Sequence, residues 1–490
     1  MHLQKETALQ EKTPLVIMGI PFHDMTFEET VSWALERIRS GRSGYIITAN
    51  LDFVMQSRRD PELQRIMLEA DLVVADGAPL VWISRMFGPK LRQRVTGSDL
   101  TPMLAGACRD ENLSIFALGA ARGVPQKAMD ALKEKYPGLQ VAGFYSPPKA
   151  DILDMDHEDI LRKIRDAGPD LLLVAFGAPK QEKWINMHFR EWQVPLAIGI
   201  GGTLDFLAGT QRRAPLLVQK AGMEWFWRML TDPRRLLGRY ASNLVFLARE
   251  SIRLGRLSRG GGPKNEPLPV PQDAILEDLQ AVFIPMKPMA SRTALQTFLE
   301  RLLPVVQTHS LVLDLSEIKA LNSLELGGLV ALEKTCRKYK GRVFLWNAGR
   351  GIQRYLQACG LTDYLRIVDT LEELQSQLGK LQRIVREGSV VDMGQGFLKI
   401  RMPLELTVTN LEDFRQKVDG IWDRLSAQGG LDEITIDAGQ LEFIDSSALG
   451  FLVGLKKKAQ AQNILMEFHG FSGDAGKTLK LARLDKLLGS

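Results

Sequence analysis

The chain has 490 residues, 45% hydrophobic and 25% charged, an ordinary globular composition with room for about three domains. Three scattered cysteines (Cys108, Cys336, Cys359) and six histidines without ligand spacing exclude a disulfide framework and the common zinc motifs, and fit a reducing compartment. The net charge of +5 is local, because Lys220 to Arg259 carries nine Lys/Arg against three acids and leaves the remainder near −1.

The chain opens on a polar stretch, Met1 to Pro14, without the apolar core of a secretory leader, so none is expected. Apolar runs then alternate with amphipathic stretches as far as about Val218. Strands are expected at Tyr45–Thr48, Leu72–Ala75, Ser114–Leu118, Gln140–Phe144, Leu171–Phe176 and Leu196–Ile200, and helices at Asp60–Glu69, Pro125–Lys135 and His157–Asp166. The pattern predicts an α/β domain over residues 1–218, a Rossmann-like parallel sheet with helices on both faces. Val194–Ala208 comes nearest to a membrane span, but glycines and Asp205 break it into strand, turn and helix.

In such a sheet, ligands bind beyond the carboxyl ends of the strands, and five turns place polar residues there. Thr48 and Asn50 end one strand; Asp76, Gly77 and Pro79 end the next. "RVTGSDL" supplies Arg94, "VAFGAPKQEKW" supplies Gly177, Lys180, Gln181 and Glu182, and "GIGGTLDFLAG" supplies Gly201, Thr203 and Asp205. Glycine-rich turns that open helices suit phosphate. Neither the GxGxxG fingerprint nor a P-loop occurs, so NAD or ATP bound in those ways is not expected. Asp76 has two readings, a helix N-cap or a working carboxylate, and Asp205 has the same pair. Asp154-Met155-Asp156 has the spacing of a DxD metal motif but lies in an acidic helix start.

Residues 219–258 combine Trp225, Phe226, Trp227, Leu230, Tyr240 and Phe246 with the arginine excess, as an interfacial membrane helix does; the alternative is a helix packed on the domain with solvated arginines. No nucleic-acid recognition motif accompanies the charge. A Gly/Pro linker follows at 259–272. The remainder repeats itself: "VLDLSEIKALNSLELGGLVAL" (312–332) aligns without a gap on "TIDAGQLEFIDSSALGFLVGL" (435–455), which defines two small α/β domains over 273–382 and 395–490.

The motifs "TANLDFV", "LVVADGAPLVW", "RVTGSDL", "VAFGAPKQEKW" and "GIGGTLDFLAGTQRRAP", in this order, resemble the TagA/WecG/CpsF family of bacterial glycosyltransferases over roughly residues 15 to 250. The resemblance implies an inverting transfer of an N-acetylmannosamine-type sugar from a UDP-sugar to a polyprenyl-diphosphate-linked sugar, without a metal or other cofactor, at the inner leaflet of the cytoplasmic membrane. It makes Asp76 the general base and assigns donor or acceptor binding to Thr48, Asn50, Arg94, Gln181 and Asp205. From the appendage it brings Arg228 and Arg235 to the site. "FIDSSALGFL" resembles the STAS domain of anti-sigma-factor antagonists, which implies a protein partner or kinase and phosphorylation at Ser446. Ala448 stands where those proteins usually have glycine, and the first copy, with Asn322-Ser323-Leu324-Glu325, looks degenerate. A catalytically inactive scaffold in a STAS-type partner switch is the alternative reading of the whole chain.

Overall fold

The computed structural model describes residues 13–85, 90–215, 280–289, 291–387, 391–394, 396–427 and 431–488, with a few further residues between 217 and 253. These form two compact units. One contains Met1–Gln56, Met67–Lys149 and Met155–Leu378; the other contains Ser57–Ile66, Ala150–Asp154 and Gly379–Ser490.

The first unit begins with an antiparallel hairpin of β1 (Leu15–Ile17) and β2 (Ile20–Phe22). Helix α1 (Phe27–Arg39) starts at a capping box, in which Thr26 and Glu29 satisfy each other's free amides. Six strands follow: β3 (Gly44–Ala49), β4 (Leu72–Ala75), β5 (Ser114–Gly119), β6 (Gln140–Tyr145), β7 (Leu171–Ala175) and β8 (Leu196–Gly199). They pair in parallel in the order β4-β3-β8-β7-β5-β6. Every residue of β3, β4, β7 and β8 is buried, as a sheet covered on both faces requires. The helices between them are α2 (Leu51–Ser57), α3 (Pro61–Glu69), α4 (Ala78–Ser84), α5 (Gly97–Asp110), α6 (Val124–Lys135), α7 (His157–Ala167), α8 (Lys180–His188) and α9 (Thr203–Leu207), of which the start of α3, as far as Ile66, is counted in the second unit. Asp156 of the DxD triplet is the N-cap of α7, accepting the Asp159 N–H at 3.0 Å.

The first repeat belongs to this unit as far as Leu378, within its last helix. It runs β9 (Ala281–Pro285), α10 (Arg292–Val306), β10 (Ser310–Asp314), α11 (Ser323–Lys338), β11 (Val343–Trp346), α12 (Arg350–Cys359), β12 (Arg366–Val368) and α13 (Leu371–Glu387), with a parallel sheet ordered β12-β11-β10-β9. Helix α11 lies against the hairpin: Lys334 Nζ donates to the Ala70 carbonyl at 2.8 Å, and a Cβ at Gly327 would meet the Pro14 carbonyl oxygen at 1.8 Å.

In the second unit the second repeat runs β13 (Val391–Gly394), β14 (Gly396–Arg401), β15 (Glu405–Leu406), α14 (Leu411–Ala427), β16 (Leu431–Asp437), β17 (Phe443–Ile444), α15 (Ser446–Ala461), β18 (Leu465–His469) and α16 (Gly473–Leu481). Its main sheet is ordered β13-β14-β16-β18, antiparallel only at β13. The core gathers Trp422, Ile434, Ile436, Leu449 and Leu452. Among the described residues no helix is long and apolar enough to cross a membrane. The expected linker at 259–272 lies outside the described residues, as do most of the basic appendage and both arginines singled out there, Arg228 and Arg235.

Candidate active site

The carboxyl ends of β3, β4, β7 and β8 bring together four of the five polar turns. Asp76 leaves β4 with its N–H bonded to the Ala49 carbonyl at 2.8 Å, which ties the strand end to β3. The cap reading of Asp76 fails. Gly77 is the N-cap of α4, at φ 140° and ψ 141°, a backbone conformation open to glycine, and no side chain caps that helix. The Asp76 carboxylate is half-buried at the strand end.

Thr48 is buried and donates its hydroxyl to the Gly199 carbonyl at 3.3 Å, linking the ends of β3 and β8. Asn50 accepts the N–H groups of Asp52 and Phe53 on Oδ1, at 2.9 and 3.3 Å, and so caps α2. Its amide NH2 makes no hydrogen bond among the described residues. Gly97 approaches the same corner, where a Cβ would lie 3.3 Å from Thr48 Oγ1 and 3.8 Å from Thr203 Oγ1.

Gln181 is a brace. It is buried, its Oε1 accepts the N–H groups of Gly177 and Gly201 at 3.1 Å each, and its Nε2 donates to Glu182 Oε1 at 2.7 Å. One side chain therefore fixes the turns after both β7 and β8. Burial pushes the Glu182 carboxyl up to about 7, against the opposing pull of the Gln181 bond. Asp205 does not cap its own helix either. The N-cap of α9 is Gly202, and Asp205 Oδ1 accepts the Thr210 hydroxyl at 3.1 Å.

Arg94 sits in a charged chain that the sequence reading missed. Its Nη1 donates to Glu224 at 3.1 Å; Arg213 bridges Glu224 (2.9 Å) and Asp99 (2.6 Å); and Asp99 accepts the Thr96 hydroxyl at 2.7 Å. Burial works against the charge on Arg213, but its bonds to Asp99 and Glu224 outweigh it and hold the guanidinium more firmly charged. Burial likewise works against the Asp99 carboxylate, and the bonds from Arg213 and Thr96 keep its pKa below the usual value. Glu224, from the appendage, is buried between two arginines of the α/β domain. The signal available was the pair Arg212–Arg213 in "TQRRAP", together with one acid in an arginine-rich segment. Among the described residues no group of three or more His, Cys, Asp and Glu side chains is placed to hold a metal ion.

The arrangement offers a half-buried carboxylate, hydroxyl and amide groups on the neighbouring strand, and an arginine held by a buried acid. That set can accept a proton from an attacking hydroxyl and steady a leaving anion. The sequence matches the glycosyl transferase WecG/TagA/CpsF family over residues 15–259 and the STAS domain over 290–374 and 390–489. An N-acetylglucosaminyldiphosphoundecaprenol N-acetyl-beta-D-mannosaminyltransferase of Bacillus spizizenii is 29% identical over 194 residues, covering 40% of this chain and 74% of that protein. The Staphylococcus aureus protein of the same name is 29% identical over 237 residues, covering 47% of this chain and 89% of that protein.

Proposed function

The chain belongs to the WecG/TagA/CpsF family of glycosyl transferases, and on that premise we propose that it moves an N-acetylmannosamine-type sugar from a UDP-sugar to a polyprenyl-diphosphate-linked N-acetylglucosamine, with inversion at the anomeric carbon. Asp76 is the base. From the end of β4, one residue before the N-cap Gly77, it takes the proton of the acceptor hydroxyl as that oxygen attacks the anomeric carbon, while the C–O bond to UDP breaks and the diphosphate carries away the electron pair. Thr48 and Asn50 hold the sugar beside it. Gln181 acts indirectly, by fixing the backbone of the Gly177 and Gly201 turns against the donor. Arg94, oriented by Glu224, stabilises the leaving diphosphate. Asp205 orders its turn through Thr210 and contributes to the donor side.

A lipid-linked acceptor requires the membrane surface. Trp82, on the helix that follows Asp76, is 48% exposed, and Leu217, Val245 and Ile252 are exposed in or beside the basic segment. These support peripheral attachment to the inner leaflet, with the arginine excess meeting anionic headgroups and Arg228 and Arg235 serving the site itself. The STAS pair serves regulation or partner docking.

The observation that carries the reading is the place of Asp76, half-buried at the end of β4 and one residue before the N-cap of α4. UDP release by the full chain tests it, with a panel of UDP-sugars, with and without a short-chain lipid-diphosphate-GlcNAc acceptor, and with EDTA in half the reactions. Acceptor-dependent release is expected to survive EDTA and to fall by about 10²–10⁴-fold in Asp76→Asn, with UDP-sugar binding retained. Undiminished release by Asp76→Asn would overturn the base assignment. Absence of release with every donor and acceptor would favour the scaffold reading.

A further inference from the structure

The N-terminus of α15 holds an anion supplied by this chain. Ser446 N donates to Glu62 Oε1 at 2.6 Å and Ser446 Oγ donates to Glu62 Oε2 at 2.8 Å, so both carboxylate oxygens are engaged. Glu62 is 1% exposed and Ser446 4%. Three residues further along α3, Arg65 pairs with Glu405 at 2.9 Å and lies over the Phe443 ring at 5.2 Å. Both α3 contacts fall within one compact unit, which counts Ser57–Ile66 among its residues.

The first repeat closes the same end differently. There Glu325 returns its carboxylate to the Asn322 N–H at 3.0 Å. In the second repeat the residues aligned with Glu325 and Asn322 are Ala448 and Asp445; the Asp445 N–H goes to the Leu406 carbonyl at 3.3 Å, and the Asp445 side chain caps the helix by accepting the Ala448 N–H at 3.0 Å. The next amide, that of Ser446, is taken by Glu62 from α3. A buried carboxylate held by a helix N-terminus and a hydroxyl is stable while the pair stays intact, and costly to leave facing a second charge.

We propose that the N-terminal end of α15 is a docking site for one carboxylate, occupied by Glu62 of α3, and that negative charge added to the Ser446 side chain expels α3 from it. Glu62 lies between Asn50 and Asp76 in the chain, so the docked segment is the connection that joins two of the candidate active-site strands. The Ser446 hydroxyl is sealed by Glu62 while the site is filled, which makes docking of α3 and any chemistry or partner at Ser446 mutually exclusive. The docking stands on its own contacts and does not depend on the glycosyltransferase reading.

Amide hydrogen exchange of the full chain tests it, comparing the unaltered protein with Ser446→Asp, Glu62→Lys and the double variant. Each single change is expected to raise exchange in 57–66 by about tenfold or more. The β16 strand should keep its protection. The double variant, with opposite charges restored, should return 57–66 towards the original rate. Unchanged exchange in both single variants overturns the proposal, and so does a double variant as fast as the singles. Should Ser446→Asp also loosen β16, Glu62→Lys alone decides, since Glu62 lies outside the repeat's own fold. A rise confined to 57–66 and the first turn of α15 then supports the docking, and no rise refutes it. The readout is independent of sugar transfer, so a failure of one reading is not mistaken for a failure of the other.

Discussion

The two repeats align without a gap around their central motif, yet each receives the N-terminal half of the chain differently. In the first, α11 packs backbone to backbone. Gly327 lies so close to Pro14 that a methyl group would meet its carbonyl oxygen at 1.8 Å, and the helix caps itself through Asn322 and Glu325. In the second, the aligned Gly450 has only the end of Leu153 nearby, 3.8 Å from where a Cβ would stand, and the helix, capped by its own Asp445, binds Glu62 as well. One repeat is attached by shape, the other by charge. Shape complementarity against backbone has no alternative partner, whereas a carboxylate site can exchange one anion for another. The difference assigns a static role to the first repeat and a switchable one to the second.

Alanine at the two aligned glycines is the strongest way to break this comparison. Gly327→Ala forces a methyl group into the Pro14 carbonyl, which cannot rotate away, and is expected to destabilise the first unit by about 3 kcal/mol. Gly450→Ala meets open space, and helix propensity alone should leave it neutral or more stable by about 0.5–1 kcal/mol. Thermal unfolding followed alongside hydrogen exchange in each unit separates the two effects. Equal shifts would erase the distinction between the repeats.

Hydrophobic runs made the main sheet and both repeats legible, because burial on two faces writes itself into consecutive residues such as Leu72–Ala75 and Leu171–Ala175. The site was legible as residue types and only partly as roles. Gln181 stood out as a side chain able to bind a ligand, but its carbonyl oxygen is taken by two backbone amides, 4 and 20 residues away. Asp76 read equally well as a cap until the backbone of Gly77 showed which residue begins the helix. The charged chain through Arg94, Glu224, Arg213 and Asp99 joins residues 114 and 130 positions apart, and no local pattern announces a pairing over that distance. Glu62 lies 384 positions from Ser446. No local pattern announces that contact.

A smaller effect sharpens the contrast through pH. His23, beside the hairpin that receives the first repeat, accepts the Val73 N–H on Nδ1 at 3.1 Å and is buried; burial first, and Lys334 of α11 second, lower its pKa to about 3. The folded state keeps it neutral while the unfolded chain takes up a proton below about 6.5. Its contribution is therefore complete above about pH 6.5 and is lost as the pH falls towards 3, with about 2 kcal/mol gone by pH 5. The second unit has one histidine, His469, and it is exposed. Unfolding midpoints between pH 7 and 5 should fall for the first unit, and His23→Gln should flatten that slope. A slope unchanged by the substitution would place the acid sensitivity elsewhere.

The smallest expected effect is the most direct on the question of whose acid closes each helix. Glu325→Ala removes the partner of the Asn322 N–H and of the Met289 N–H, both at 3.0 Å, and should cost about 1 kcal/mol, as the loss of a cap does. The reciprocal change, Ala448→Glu, gives the second repeat the residue with which the first returns a carboxylate to the N–H of its N-cap. The aligned amide is that of Asp445, which is bonded to the Leu406 carbonyl at 3.3 Å, so the new glutamate competes with that carbonyl and not with Glu62 at Ser446. Exchange in 57–66 is therefore expected to stay at its original rate, with the repeat's own stability changed by less than about 1 kcal/mol. A rise in 57–66 would mean instead that the added carboxylate reaches the Ser446 N–H and displaces Glu62, and that the two acids compete for one end of the helix.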